Sequence, residues 1–258
     1  MSRLLDFWKK RRRAELRTAP FPEDYRAIIL RNVPYVSTLS EDDQRELEAL
    51  VQVFLAEKSF EGCGGLTMTD EIRLTIAAQA CLLLLHRETD MYPELDSIVV
   101  YPHAYRATAQ RREGAVVIES DDVRLGESWS LGTVVLAWDH VQRGARSFGD
   151  GHNVVLHEFA HQLDAEDGSV DGAPDLGSRA RYVEWAKVLG DEFKELADRI
   201  HAGRSSDIDA YGATSPPEFF AVVTEMFFEQ PVKLQRRHPE LYEELRLFYK
   251  QDPAAAVR

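Results

Sequence analysis

The chain has 258 residues, 44% hydrophobic and 29% charged, enough for a sizeable buried core and ordinary for a globular protein. Its 44 acidic and 31 basic residues leave a net charge of −13, which excludes general nucleic-acid binding through a basic surface. Two cysteines, Cys63 and Cys81, exclude a disulfide framework and point to reduced thiols in the cytoplasm. The longest apolar run, Ala77 to Leu85, is interrupted by Gln79 and is far shorter than the ~20 residues of a membrane span. No secretory signal is expected, because the first basic cluster follows the first apolar residues and no apolar region comes after it.

In chain order, residues 3–17 read as a short amphipathic helix. Leu4, Leu5, Phe7 and Trp8 share one face and Lys9 to Arg13 the other. A solvated face fits so short a tract in an acidic chain; membrane-surface or partner docking is the other reading. Pro20-Phe21-Pro22 breaks this helix, and a second follows over 22–31. Ser40 caps a third, with Asp42 and Asp43 in its first turn, running to about Lys58. Gly62-Cys63-Gly64-Gly65 reads as a turn. Thr69 or Asp70 caps a fourth helix through Leu85, whose Ile72, Ile76, Ala77, Ala80, Leu83 and Leu84 recur at core spacing. Cys81 packs there as a small apolar residue.

From Asp96 the pattern changes. Ser97–Tyr101, Ala115–Glu119 and Thr133–Trp138 read as strands. The last is either a sheet edge that pairs with an extended peptide or an interior strand. Phe148-Gly149-Asp150-Gly151 then leads into the stretch that organises the chain, Val154 to Asp164, with Asn153 as its cap. This stretch holds H-E-x-x-H among apolar Leu156, Phe159, Ala160 and Leu163. On a helix, His157 and His161 stand one above the other and point two imidazoles at one metal ion. Glu158 beside them is placed as general base, the zinc-peptidase signature. Such polar groups in a buried helix are costly unless something satisfies them: a metal is the favoured reading, hydrogen-bonded core residues the other.

A long helix follows over 178–200, through Tyr182, Trp185, Val188, Leu189, Phe193 and Leu196. Ser215-Pro216-Pro217-Glu218 opens another helix, to about Glu229. Pro231 and Pro239 separate two short last helices, and Asp252–Arg258 reads as a frayed tail. The class is α+β: helices over 1–95, then a small mixed sheet with helices over 96–250, all one domain of 1–258.

A catalytic zinc takes three protein ligands. Asp164 and Asp167 stand where a metzincin would need Gly and His, so that class is excluded. On the residues alone Glu218 leads as third ligand, because Phe219, Phe220, Val222, Val223 and Phe227 would bury its helix. Glu225, Glu184 and Asp167 stay open, Glu225 also as an acceptor for a ligand histidine N–H. His86, His103, His140, His152, His201 and His238 show no ligand spacing, although His152 is near enough to line the site.

Several stretches resemble the Mlc titration factor A family of zinc-dependent peptidases. They are residues 76–81, Val100-Tyr101-Pro102, Gly126-Glu127-Ser128-Trp129, 153–164 and 218–225. The likeness runs from about Leu5 to Tyr249. It implies a zincin-like, gluzincin-type core and one Zn²⁺ per chain held by His157, His161 and Glu218. It implies Glu158 as catalytic base and Tyr211, seven residues before Glu218, as a transition-state donor. The implied reaction is peptide-bond hydrolysis, as an aminopeptidase or an endopeptidase, on a peptide or protein substrate. It also implies a protein partner, an Mlc-like transcriptional repressor; the helices after Pro231 read most simply as a packed structural lid, with a docking surface for that partner as the other reading. Asp171-Gly172 departs from the family's frequent Asn-Gly, in a loop.

Overall fold

The computed structural model describes residues 2–103, 105–113, 116–124, 126–129, 132–147 and 149–256; side chains are described outside residues 2–6 and 104–131. Helix α1 (Ser2–Thr18) and α2 (Glu23–Asn32) lead through a 3-10 turn to α3 (Glu41–Glu57). Strand β1 (Ser59–Gly62) and α4 (Asp70–Leu82) follow. Strands β2 (Ser97–Tyr101), β3 (Tyr105–Glu113), β4 (Val116–Arg124), β5 (Gly126–Trp129) and β6 (Thr133–Ala137) come next. The rest is helical: α5 (Trp138–Arg146), α6 (Val154–Asp164), α7 (Arg179–His201), α8 (Pro216–Glu229), α9 (Pro231–Arg237), α10 (Pro239–Tyr249) and α11 (Pro253–Ala256).

The helix starts follow the caps written in the sequence. Side chains of Ser40, Thr69, Asn153, Ser178 and Ser215 accept backbone N–H groups that the first turn leaves without partners. Helix α4 is apolar almost all round and accordingly buried, with α2, α3, α5 and α6 packed about it. One apolar cluster runs from Ile29 to Ala254 and joins both halves of the chain.

Four strands form a mixed sheet in the order β1-β2-β6-β5. The first three are parallel, and β5 is antiparallel to β6. Strand β6 is thus interior, and β5 is an edge among the described residues. Strands β3 and β4 form a separate antiparallel pair.

Several expectations need correction. Strand β1 was unforeseen: its four residues carry one large apolar side chain, and only pairing with β2 makes them a strand. Strand β3 and helix α5 were likewise missed; α5 buries only Val141, Gly144 and Ala145. Helix α4 stops at Leu82, and His86 at φ 62° turns the chain away. The tail is not frayed over 252–256: Pro253 and Ala254 are buried, and Tyr242 Oη donates to Asp252 at 2.6 Å. Ala115, the expected first residue of a strand, lies outside the described residues, as do Phe148 and the tail's Val257 and Arg258. The side chains of Leu4 and Leu5 also lie outside the description.

Loop 168–177 is fixed at one glycine. Gly172 N–H donates to both carboxylate oxygens of Asp164, at 3.0 and 2.9 Å, and its carbonyl accepts Trp185 Nε1–H at 2.9 Å. Its φ is +82°, and a Cβ there would lie 2.6 Å from the Pro216 carbonyl oxygen. The loop therefore joins the end of α6 to the start of α8. Gly190, in α7, has open space around it.

Gly172→Ala should cost about 2 kcal/mol or more in urea unfolding, because both the φ and the space are denied. Gly190→Ala should instead add about 0.5–1 kcal/mol. Equal effects of the two substitutions would contradict this account of the loop.

Candidate metal centre

Helix α6 begins at Asn153, which is buried and hydrogen-bonded through its backbone and side chain. Its Oδ1 accepts Val155 N–H and Leu156 N–H, both at 3.1 Å. Its own N–H donates to Glu225 Oε2 at 2.5 Å. Its Nδ2 donates to Gln79 Oε1 at 2.9 Å and Glu229 Oε1 at 3.2 Å. One residue thus ties α6 to α8 and α4. Gly144 lets α5 come close as well, since a Cβ there would stand 3.1 Å from Asn153 Cα.

One turn on, His157 and His161 lie with ring centroids 5.0 Å apart. Opposite them, Ser215 caps α8 and two prolines occupy its first turn, which fixes where Glu218 emerges. Glu218 Oε2 is 3.0 Å from His157 Nε2 and 3.5 Å from His161 Nε2. The three donor atoms lie within 4.8 Å of one another. Ligand atoms around a tetrahedral zinc stand roughly 3.3 Å apart, so this donor set fits the ion in both chemistry and spacing.

Glu225, two turns along α8 from Glu218, takes the other side of His157. Its Oε1 is 2.7 Å from Nδ1. The carboxylate therefore spans the Asn153 N–H and the imidazole Nδ1, which leaves Nε2 facing Glu218. Burial alone would lower the His157 pKa, but the hydrogen bonds to Glu218 and Glu225 carry it up to about 10. Burial would raise Glu218, yet His157 and His161 hold it down at about 2. These carboxylates favour positive charge between them, which a proton or a divalent cation can supply.

Glu158 is buried, 4% exposed, on the same helix. Tyr211 sits in a 3-10 turn, Ala210–Ala213, with its ring centroid 5.9 Å from that of His157 and its side chain open to solvent. Asp209 Oδ1 accepts the Tyr211 N–H at 2.8 Å, and the buried Gly212 lets the turn sit on Val222 and Phe219 of α8. Two ligand candidates fall outside the cluster. Glu184 is exposed on α7, and Asp167 accepts from Ser169 and Tyr182. His152 is exposed and lines a cleft of about 400 Å³ beside α8 with Val222 and Met226.

Among the described residues one further group has metal-like spacing, Asp43, Glu46 and His86. There His86 Nε2 meets Asp43 at 3.1 Å, Nδ1 meets Glu46 at 3.3 Å, and its N–H bonds Glu46 Oε1. This arrangement clamps the exit of α4 onto α3. Asn153's three-way role, Gln79 and Glu229 were not foreseen. Their signal was present as polar residues within apolar helices: Gln79 and Glu229 are 0% and 5% exposed.

Residues 7–250 match the Peptidase M90 family, described as glucose-regulated metallo-peptidase M90. The chain belongs to this family. An uncharacterized protein of Synechocystis is 44% identical over 248 residues, 95% of this chain and 90% of the relative. Mlc titration factor A of Serratia proteamaculans is 32% identical, over 88% of this chain and 87% of its own length. Its namesake in Yersinia pestis is 30% identical, over 88% and 84%. M90 membership points to a metallopeptidase and implies a metal, typically zinc. No helix among the described residues is long and apolar enough to cross a membrane.

Behind the site, burial pushes Glu229 up to about 8, although Gly149 N–H and Asn153 Nδ2 donate to it. A carboxyl whose folded pKa exceeds its unfolded value binds more protons in the folded state. Stability is therefore lost as pH rises from about 4.5 to about 8. Glu229→Gln should flatten that fall by roughly 2 kcal/mol, read by urea unfolding at pH 5 and pH 8.5. Parallel pH profiles for the two proteins would refute the assignment.

Proposed function

We propose that this M90 member is a zinc-dependent peptidase with a gluzincin-type zincin core. Histidines 157 and 161 and the distant Glu218 hold one Zn²⁺ per chain in this reading. The observation that carries it is the single Glu218 oxygen facing both imidazole Nε2 atoms, at 3.0 and 3.5 Å. The continuous apolar cluster supports taking 1–258 as one unit, with the helices of 1–95 packed on a catalytic core of 96–250. Free Cys63 and Cys81 suit a cytoplasmic site of action.

Zinc held there supplies a Lewis acid that polarises the scissile carbonyl and makes water acidic near neutral pH. Glu158 takes the proton of the attacking water and returns it to the leaving amine. Tyr211 Oη donates to the oxygen on which negative charge grows. Glu225 keeps His157 in the tautomer that offers Nε2. Edge strand β5, antiparallel to β6 and packed near α6, supplies backbone groups for an extended peptide substrate.

Glu158→Gln should retain zinc and lose turnover by at least about a hundredfold. Glu218→Ala should lose zinc itself, measured by metal analysis after gel filtration. A Glu158→Gln protein that cleaves as fast as wild type would remove the base from its role. Tyr211→Phe should lower kcat about tenfold or more with zinc content unchanged. An unaltered kcat would make the hydroxyl idle. A peptide-library digest reads whether cleavage starts at free N-termini, as an aminopeptidase requires.

The relatives named Mlc titration factor A favour a second reading, a protein that sequesters an Mlc-like transcriptional repressor, with or without proteolysis. Helices α9 and α10 then form the docking face. Capture of such a repressor by the Glu158→Gln protein supports this role, since binding needs no chemistry. Failure of that variant to capture it, while the wild-type protein cleaves peptides, leaves the peptidase alone.

A further inference from the structure

Helix α1 has two unlike sides. Arg13 reaches Glu57 through Nε and Nη2, both at 2.7 Å, and Asp90 through Nη1 at 2.5 Å. Lys9 Nζ meets Asp90 at 3.2 Å, and Leu16 packs on the core. Positions 9, 13 and 16 form one helical stripe, so this stripe is the inner side, laid along α3. Away from it stand Phe7 and Trp8, 59% and 58% exposed, with ring centroids 6.0 Å apart, edge to face. The Arg11 guanidinium lies 5.7 Å from the Trp8 ring, and Lys10, Arg12 and Arg17 are exposed around them.

Charge is segregated in the same segment. Residues 1–17 contain seven Lys or Arg against Asp6 and Glu15, a surplus of five positive charges. With the chain at −13, the remainder carries −18. Phe7 and Trp8 are adjacent large apolar side chains left in water, and the metal centre uses neither. A partner for this face must accept cations and bury aromatic rings together. A phospholipid surface does both: its headgroup phosphates take the cations, and the boundary with the acyl chains takes Phe and Trp. A DNA duplex would take the cations on its phosphates but offers no apolar layer for the two rings. An acidic second copy would take the cations but leave two adjacent rings to find an apolar seat.

We propose that α1 docks the protein on an anionic phospholipid surface, with Phe7 and Trp8 inserted and Lys10, Arg12 and Arg17 against the headgroups. The helix lies in the plane of the interface, and the metal centre takes no part. The docking therefore stands or falls apart from the peptidase reading.

The test is co-sedimentation of the full chain with vesicles of phosphatidylcholine, with and without phosphatidylglycerol. Wild type should pellet with the phosphatidylglycerol vesicles, weakly with phosphatidylcholine alone, and be released by high salt. Phe7→Ser with Trp8→Ser should weaken binding at least about tenfold, and so should Lys10→Glu, Arg12→Glu and Arg17→Glu together. Unchanged thermal unfolding would establish that both variants fold. The proposal is overturned if wild type stays in the supernatant, or if the aromatic variant binds as well as wild type. It is equally overturned if wild type ignores vesicles and instead dimerises, or binds a DNA duplex, in a way that the same variants abolish.

Discussion

The site depends on one carboxylate. Glu225 accepts the Asn153 N–H with one oxygen and faces His157 Nδ1 with the other. The first contact fixes where α6 begins, and the second fixes which nitrogen of His157 is presented. Both originate on α8, the helix that also carries Glu218. The crossing of α6 and α8 thus sets the imidazoles and the distant carboxylate together. A buried carboxylate used in this way is costly to desolvate, and the two hydrogen bonds offset that cost.

Around this crossing the structure repeats the same device. Asp164 closes α6 by accepting both bonds from Gly172, and the carbonyl of Gly172 is held by Trp185. Burial raises the Asp164 pKa to about 6, and the Gly172 N–H opposes that shift. Gln79 and Glu229 meet the side chain of Asn153 from α4 and α8. Asp164, Glu225, Glu229 and Gln79 are each reached by a backbone, amide or imidazole partner, which offsets the cost of burying them in a low-dielectric interior. The result is a hydrogen-bonded floor beneath the two imidazoles, with Tyr211 exposed beside His157.

The i, i+4 spacing of His157 and His161 and the apolar neighbours of α6 were legible in the sequence, because a helix converts spacing directly into facing. So were the caps at Ser40, Asn153 and Ser215, whose chemistry is local. The third carboxylate was not settled by residues alone. Fifty-seven positions separate His161 from Glu218, which led on the residues while Glu225, Glu184 and Asp167 stayed open; Glu184 faces solvent, Asp167 accepts from Ser169, and Glu225 turns to His157 Nδ1. Strand β1 was invisible because its identity comes from β2, and α5 because its buried face is only three small residues. Gly172 looked like any loop glycine; its need for a missing Cβ arises from Pro216, far along the chain.

Glu218 and Glu225 converge on the two imidazoles, whereas α1 carries the basic and aromatic residues. Metal chemistry needs converging carboxylates, and the face turned out by α1 uses none of them. The central claim concerns the converging set, and zinc K-edge X-ray absorption on the stoichiometrically loaded protein addresses it most directly. The account predicts two imidazoles and one carboxylate around the ion, with one imidazole signal lost in His161→Ala. A spectrum with a single imidazole that is unchanged by His161→Ala, as binding at Asp43, Glu46 and His86 would give, would contradict it.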